Sequence, residues 1–383
     1  MLLSNDYALY IHLPFCASKC RYCDFYSEVK DSNFIKQYLD VLLLELDHVS
    51  VKYSLNNMCA RTLFFGGGTP SLLSAEQYSY LCNELKKRIS FSNISEWTIE
   101  CNPDSFSSEL AQSLLSHGVN RISVGIQSLN DRELRLLGRC HSAERARNVL
   151  NNPVLGGFNS VSADLMFGIP CQTIKSFSES LDIVLNSRHI KHLSIYELTI
   201  NENTPFGRHY KRLSLPDEDT MDKMSNIVLS RTKQAGFEHY EVSNYALPYF
   251  HCRHNEAYWE HRNYIGLGAA AHSYMHSLRW GNITDAAEYI QRCCNGKSVT
   301  QFTETIDNKK LACEMLFLGL RKASGINEVT FEEHTGQPFR TIANSKQLDL
   351  FLDQNYLIYN PPFWKPTEKG LLFADAMAEK LSV

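Results

Sequence analysis

Apolar positions over residues 7–245 follow two alternating rhythms. Short runs rich in β-branched and aromatic residues stand at 7–13, 61–65, 97–101, 121–126, 160–167 and 193–198, the length and character of strands. Between them the period shifts to 3.6 residues. Residues 31–50 place Phe34, Ile35, Tyr38, Leu39, Leu42 and Leu46 on one helical face. Ser74 and Gln77 form a capping-box pair ahead of Tyr78, Leu81 and Leu85. Gly118 is placed to end the third helix just before the fourth strand.

Repeated strand–helix units imply a parallel sheet, because parallel neighbours need crossover helices. Six units fall short of the eight that close a barrel. The expected fold class is therefore α/β, an open or partial (β/α)6 barrel, with its chemistry at the C-terminal ends of the strands. The rhythm changes near residue 250. A polar and aromatic stretch, 251–263, leads to the small-residue turn 266–271. From Asp307 the pattern reads helix, helix, helix, a strand pair around 356–364 and a last helix from Thr367. The expected division is a barrel over 1–245, a connecting segment over 246–305 and a small, mostly helical, winged-helix-like domain over 306–383.

Composition narrows the function classes. The net charge of -4 and the absence of a basic recognition helix argue against a nucleic-acid binder, so none is expected as a partner. No run of 18 apolar residues is present, so no membrane span is expected. The start, MLLSNDYALY, lacks the basic end and apolar stretch of an export signal, and a cytoplasmic location is the expectation.

Twelve cysteines are unusual for such a chain, where metal or redox roles outweigh a disulfide framework. Most are scattered singly and read as small buried residues. Cys16, Cys20 and Cys23 follow the first strand directly. Three thiolates on one short loop can hold three corners of an iron–sulfur cube and leave one iron open. Structural zinc with a distant fourth ligand is the competing reading. It leaves unexplained the run Gly66-Gly67-Gly68-Thr69-Pro70 that closes the second strand, where the backbone is free to approach a ligand.

The stretch Tyr10-Ile-His-Leu-Pro-Phe-Cys16-x3-Cys20-x2-Cys23-Asp-Phe resembles the signature of radical S-adenosylmethionine (SAM) proteins, specifically the oxygen-independent coproporphyrinogen III oxidase superfamily. The resemblance runs through nearly the whole chain. It implies a 4Fe-4S cluster on Cys16, Cys20 and Cys23, with SAM on the fourth iron. It also implies SAM contacts at Gly68 and Thr69, at Glu100 and Gln127 on the third and fourth strand ends, at Arg139 and Asp164, and at Tyr10 and Tyr22 near the adenosine and cluster. The residue chemistry agrees in part: a carboxylate at 100 suits an ammonium, Arg139 can grip a carboxylate, and Asp164 can accept ribose hydroxyls.

Within that superfamily two branches share this cradle, the HemN-type oxidases and the HemW-type heme chaperones. The oxidase pattern has a fourth cysteine two residues past the third, where this chain has Phe25, and a long N-terminal extension that is nearly absent here. His254-Asn-Glu-Ala-Tyr258-Trp259 matches the HNxxYW motif associated with heme in the chaperones. A neutral imidazole suits heme iron and aromatics can cover the macrocycle; His251 and Cys252 stand as alternative axial ligands, and an aromatic packing corner is the bland reading. The resemblance thus implies a heme chaperone in porphyrin metabolism, more a carrier than an oxidoreductase, with heme, SAM and a 4Fe-4S cluster as cofactors. Its partner is a heme-acceptor protein that the sequence does not name, a transient, membrane-associated acceptor included. The alternatives are radical decarboxylation of a porphyrinogen and a purely structural zinc or iron–sulfur protein.

Overall fold

The computed structural model describes residues 5–382. Residues 1–4, the head of the stretch read for an export signal, and residue 383 lie outside the described residues. Strands β1 (Asp6–Leu13), β2 (Cys59–Gly67), β3 (Glu96–Cys101), β4 (Arg121–Gln127), β5 (Ser160–Phe167) and β6 (His192–Glu197) pair in chain order, every neighbour parallel. Helices α1 (Ser32–Tyr53), α2 (Ala75–Arg88), α3 (Ser108–His117), α4 (Asp131–Leu137), α5 (Ala143–Leu150) and α6 (Ile174–Leu185) lie in the crossovers. This is the α/β architecture that the alternating rhythm implies.

Local chemistry sets the helix ends. The Asp31 side chain accepts the Phe34 N–H, and both bonds of the Ser74–Gln77 capping box form. Gly118 takes a left-handed φ of 102°, stopping α3 as its sequence position suggests. All seven residues of β4 are buried, the pattern of a strand covered on both faces.

The segment after residue 246 contributes more than a connection. Tyr264–Leu267 adds a seventh parallel strand against β1, and His272–Met275, Leu278–Asn282 and Thr300–Thr305 extend that edge antiparallel. Its Ile265, Leu267, Trp280 and Tyr289 belong to the same buried core as Leu9, Leu63 and Ile99.

Residues 307–382 carry their own core, with Leu316, Phe331, Phe339, Phe351 and Trp364 buried together. Helices surround a three-stranded sheet of Ile326–Asn327, Leu357–Asn360 and Phe363–Pro366. Trp364 is fully buried there, stacked 4.3 Å from Tyr359. The domain meets the barrel where the Val242 N–H donates to the Arg321 carbonyl at 3.0 Å and Lys322 pairs with Glu260 at 2.8 Å. No helix among the described residues is long and apolar enough to cross a membrane.

Candidate functional site

One cavity of about 550 Å³ opens at the C-terminal ends of the six strands. Cys16, Cys20 and Cys23 line it from the loop between β1 and α1, together with Tyr22, Gly68, Thr69, Glu100, Gln127, Arg139 and Asp164. Ten of the residues singled out from the sequence therefore face one space, although they span nearly 150 positions of chain. Tyr10 is the exception among the SAM candidates. It sits behind the wall, its hydroxyl 3.0 Å from His12 Nδ1 and its ring beside Phe64 and His254.

The cysteine loop is tied to the sheet by short bonds. Gly68 N–H donates to Leu13 O at 2.9 Å and Thr69 N–H to Phe15 O at 2.7 Å. A Cβ on Gly68 would lie 2.5 Å from the Phe15 carbonyl oxygen, so only glycine permits this approach. Gly67, at φ 110°, packs equally closely on the His12 ring. Thr69 Oγ1 reaches Cys16 Sγ at 3.7 Å, and Arg139 Nη1 reaches Cys20 Sγ at 3.6 Å. Burial, and then the neighbouring Cys20 and Cys16, push the Cys23 thiol up to about 11. Soft thiols sharing one pocket, with an arginine beside them, are a donor set suited to a cationic iron–sulfur core. No three His, Cys, Asp or Glu donors among the described residues are already converged on one point.

Arg139 also bridges the strand ends, donating to Asn102 Oδ1 at 2.5 Å and to Gly125 O at 2.9 Å. Asn102 returns a bond to Thr69 Oγ1 at 2.8 Å. Gln127 is held at a left-handed φ of 64° where β4 bulges, its Oε1 accepting the Tyr196 hydroxyl at 2.6 Å; such strain persists where surrounding bonds enforce it. Asp164 accepts from Ser123 Oγ at 2.9 Å. Glu100 accepts the Gly67 N–H at 3.2 Å. Burial, reinforced by nearby Asp164, lifts its carboxyl to about 7. Asn102 and Tyr196 went unnoticed in the sequence. Asn102 stands in the Glu100-Cys-Asn-Pro run, and its role follows only from Arg139's position.

The HNxxYW motif lies at the opposite end of the barrel. Its helix, Arg253–Trp259, plugs the N-terminal ends of the strands. Glu96, at the start of β3, caps it by accepting the Arg253 and His254 N–H groups, each at 3.0 Å, and lies 3.6 Å from Cys252 Sγ. His254 is 1% exposed. Its Nδ1 meets Thr62 Oγ1 at 2.7 Å and its Nε2 meets the Tyr258 hydroxyl at 2.9 Å. Burial, aided by Arg121, pulls this imidazole down to about 3, so it is neutral. Trp259 carries Arg321 of the C-terminal domain over its ring at 5.1 Å. Of the alternative ligands, Cys252 is fully buried, whereas His251 is half-buried, stacked 4.0 Å from Tyr240 and bonded to Glu238 and Glu256. Asn255 of the same motif reaches the floor of the main cavity beside Arg121 and Asp164.

Residues 10–184 match the radical SAM superfamily and residues 306–373 the HemN C-terminal domain. The chain is 35% identical to heme chaperone HemW of Haemophilus influenzae across 97% of both chains. It is 30% identical to heme chaperone HemW of Lactococcus lactis across 99% of this chain and 98% of that one. Among solved structures, coproporphyrinogen III oxidase (HemN) from Escherichia coli, a radical SAM enzyme, superposes with a TM-score of 0.86. That match covers 98% of this chain and 90% of the other at 21% identity, and it speaks for the fold alone.

Proposed function

This chain belongs to the HemW family of the radical SAM superfamily, and from that premise we propose that it binds heme and passes it to an acceptor protein. The full-length likeness to proteins named heme chaperone HemW carries the reading. Superfamily membership implies SAM and a 4Fe-4S cluster. Cys16, Cys20 and Cys23 would hold the cluster, and Gly68, Thr69, Glu100, Gln127, Arg139, Asp164 and Tyr22, which line the same cavity, would surround SAM. When bound, the pair would supply one-electron chemistry at the iron that three cysteines leave open in a four-iron cluster. Phe25, where the oxidase pattern has a further cysteine, lines the cavity mouth and is 66% exposed.

The protein groups have separate tasks. Glu100 would meet the ammonium of SAM, Arg139 its carboxylate, and Asp164 its ribose hydroxyls. His254 presents a neutral imidazole, the protonation state that iron ligation requires. His254 would hold heme iron only after giving up its bond to Thr62 or to Tyr258.

The raised carboxyl of Glu100 gives a pH test. Below about 7 the group is protonated and offers no charge to an ammonium; above it the charge is present. SAM affinity of the reconstituted protein, followed by equilibrium dialysis, is therefore expected to rise through that pH, and Glu100→Gln to flatten the profile. The linkage for the ligand-free fold has the opposite sign. A folded pKa raised from 4.5 to about 7 contributes stability below 4.5 that is lost as pH climbs through about 7.

The chaperone reading itself is tested by heme transfer. Heme-loaded protein mixed with excess apomyoglobin is expected to hand over its heme without consuming SAM. Stoichiometric decarboxylation of coproporphyrinogen III under anaerobic reducing conditions, with no heme transfer, would place the chain with the oxidases instead.

A further inference from the structure

A second groove, of about 410 Å³, runs across the N-terminal end of the barrel beside the motif helix. Ala8 and Ala257 contribute apolar wall, and Arg61, Arg253 and Arg262 bring three guanidinium groups to its edge. Arg61 pairs with Asp6 at 2.9 Å and Arg262 with Glu260, both pairs substantially exposed. Exposed pairs of this kind are worth little and exchange readily. The Arg253 guanidinium has no ion-pair partner among the described residues, while its backbone N–H is fixed to Glu96. Glu256, the remaining carboxylate at the rim, is engaged by His251 at 3.3 Å. The groove therefore offers one free guanidinium and two that can be released.

Thr62 lines this groove, and its hydroxyl is the partner of His254 Nδ1. A molecule seated there is one side chain away from the buried imidazole. The main cavity, by contrast, lies at the far end of the strands, where Glu100, Asp164 and the thiols share the lining with Arg139.

We infer that the groove is a carboxylate-recognition site for a flat, apolar ligand bearing two carboxylates, the chemistry of a heme with its propionates. The inference rests on the heme-binding reading and adds where the ligand docks. Arg253 and Arg61 would hold the carboxylates as charge-assisted, fork-shaped pairs, with Ala8 and Ala257 as the apolar contacts and Thr62 between the ligand and His254.

The test compares heme with its dimethyl ester, which keeps the ring and iron and lacks the charges. The wild-type protein and the Arg61→Ala/Arg253→Ala double variant are each titrated anaerobically with both ligands, followed by absorbance. Both arginines are exposed, and unchanged far-ultraviolet dichroism and cluster content check that the variant is folded. Wild type is expected to prefer heme over the ester by about tenfold or more, as two hydrogen-bonded charges provide. The variant is expected to lose that preference while its ester affinity stays the same. Equal wild-type affinity for the two ligands, or a variant that weakens both alike, would overturn the groove while leaving heme binding standing. Failure of wild type to bind heme at all would overturn the heme reading and this inference with it.

Discussion

The unaltered protein is expected to take up about four irons and four sulfides per chain on anaerobic reconstitution, and replacing Cys16, Cys20 or Cys23 singly with alanine is expected to leave little of either. The three thiols share one cavity, and Gly68 and Thr69 tie their loop to β1 by backbone bonds of 2.9 and 2.7 Å. A four-iron cluster held by three thiols would have no spare corner to lose. Cys140 is the informative control. It is exposed on the same rim, its Sγ 3.0 Å from Ser18 Oγ, yet it belongs to no strand-end ligand set. Cys140→Ala is therefore expected to reconstitute normally. Equal loss in all four variants would mean that the fold, and not the ligand set, had failed. Zinc without sulfide in the wild type would move the site to the structural class.

Glu96→Ala carries the largest expected effect on the fold, a destabilisation of about 3 kcal/mol or more. Glu96 is 6% exposed and accepts two backbone N–H groups at the start of the motif helix. It also lies within electrostatic reach of Arg121, which is 3% exposed and whose Nε has no hydrogen-bond partner. Removing the carboxylate orphans one buried and one part-buried donor and leaves a buried cation with less compensation. Denaturant melts give the magnitude. Hydrogen exchange should show the loss of protection concentrated in Arg253–Trp259. Glu96→Gln, which keeps an acceptor and drops the charge, is expected to fall between. A loss below about 1 kcal/mol for the alanine variant would mean that the helix is held by packing on Phe64 and Tyr10 instead.

The parts of the fold set by local rules were legible in the sequence. The six parallel strands follow from apolar runs separated by 3.6-residue periodicity, and Asp31, Ser74 and Gly118 mark helix ends by chemistry that acts within a few residues. The cavity was legible for a different reason. Glu100, Gln127 and Asp164 stand at or near strand ends, where parallel α/β folds gather their ligands.

Long-range placement was not legible. Tyr264–Leu267 is only four residues long and precedes a small-residue turn, so nothing local reveals that it extends the sheet beyond β1. The spacing of the HNxxYW motif shows which side chains share a helical face. It does not show that the helix closes the barrel end remote from the cysteine loop, because that depends on Glu96 and Thr62, some 160 to 190 positions earlier. Asn102 was hidden likewise, since a lone asparagine after a strand acquires meaning only when Arg139 arrives beside it.

Anaerobic heme titration of wild type against His254→Ala, followed by absorbance, decides whether heme is taken up through the motif that seals the barrel, as proposed. Saturable one-to-one binding by the wild type is expected, and a variant that binds more weakly or with an altered iron spectrum. Heme binding that is absent, or identical in the two proteins, would contradict that proposal.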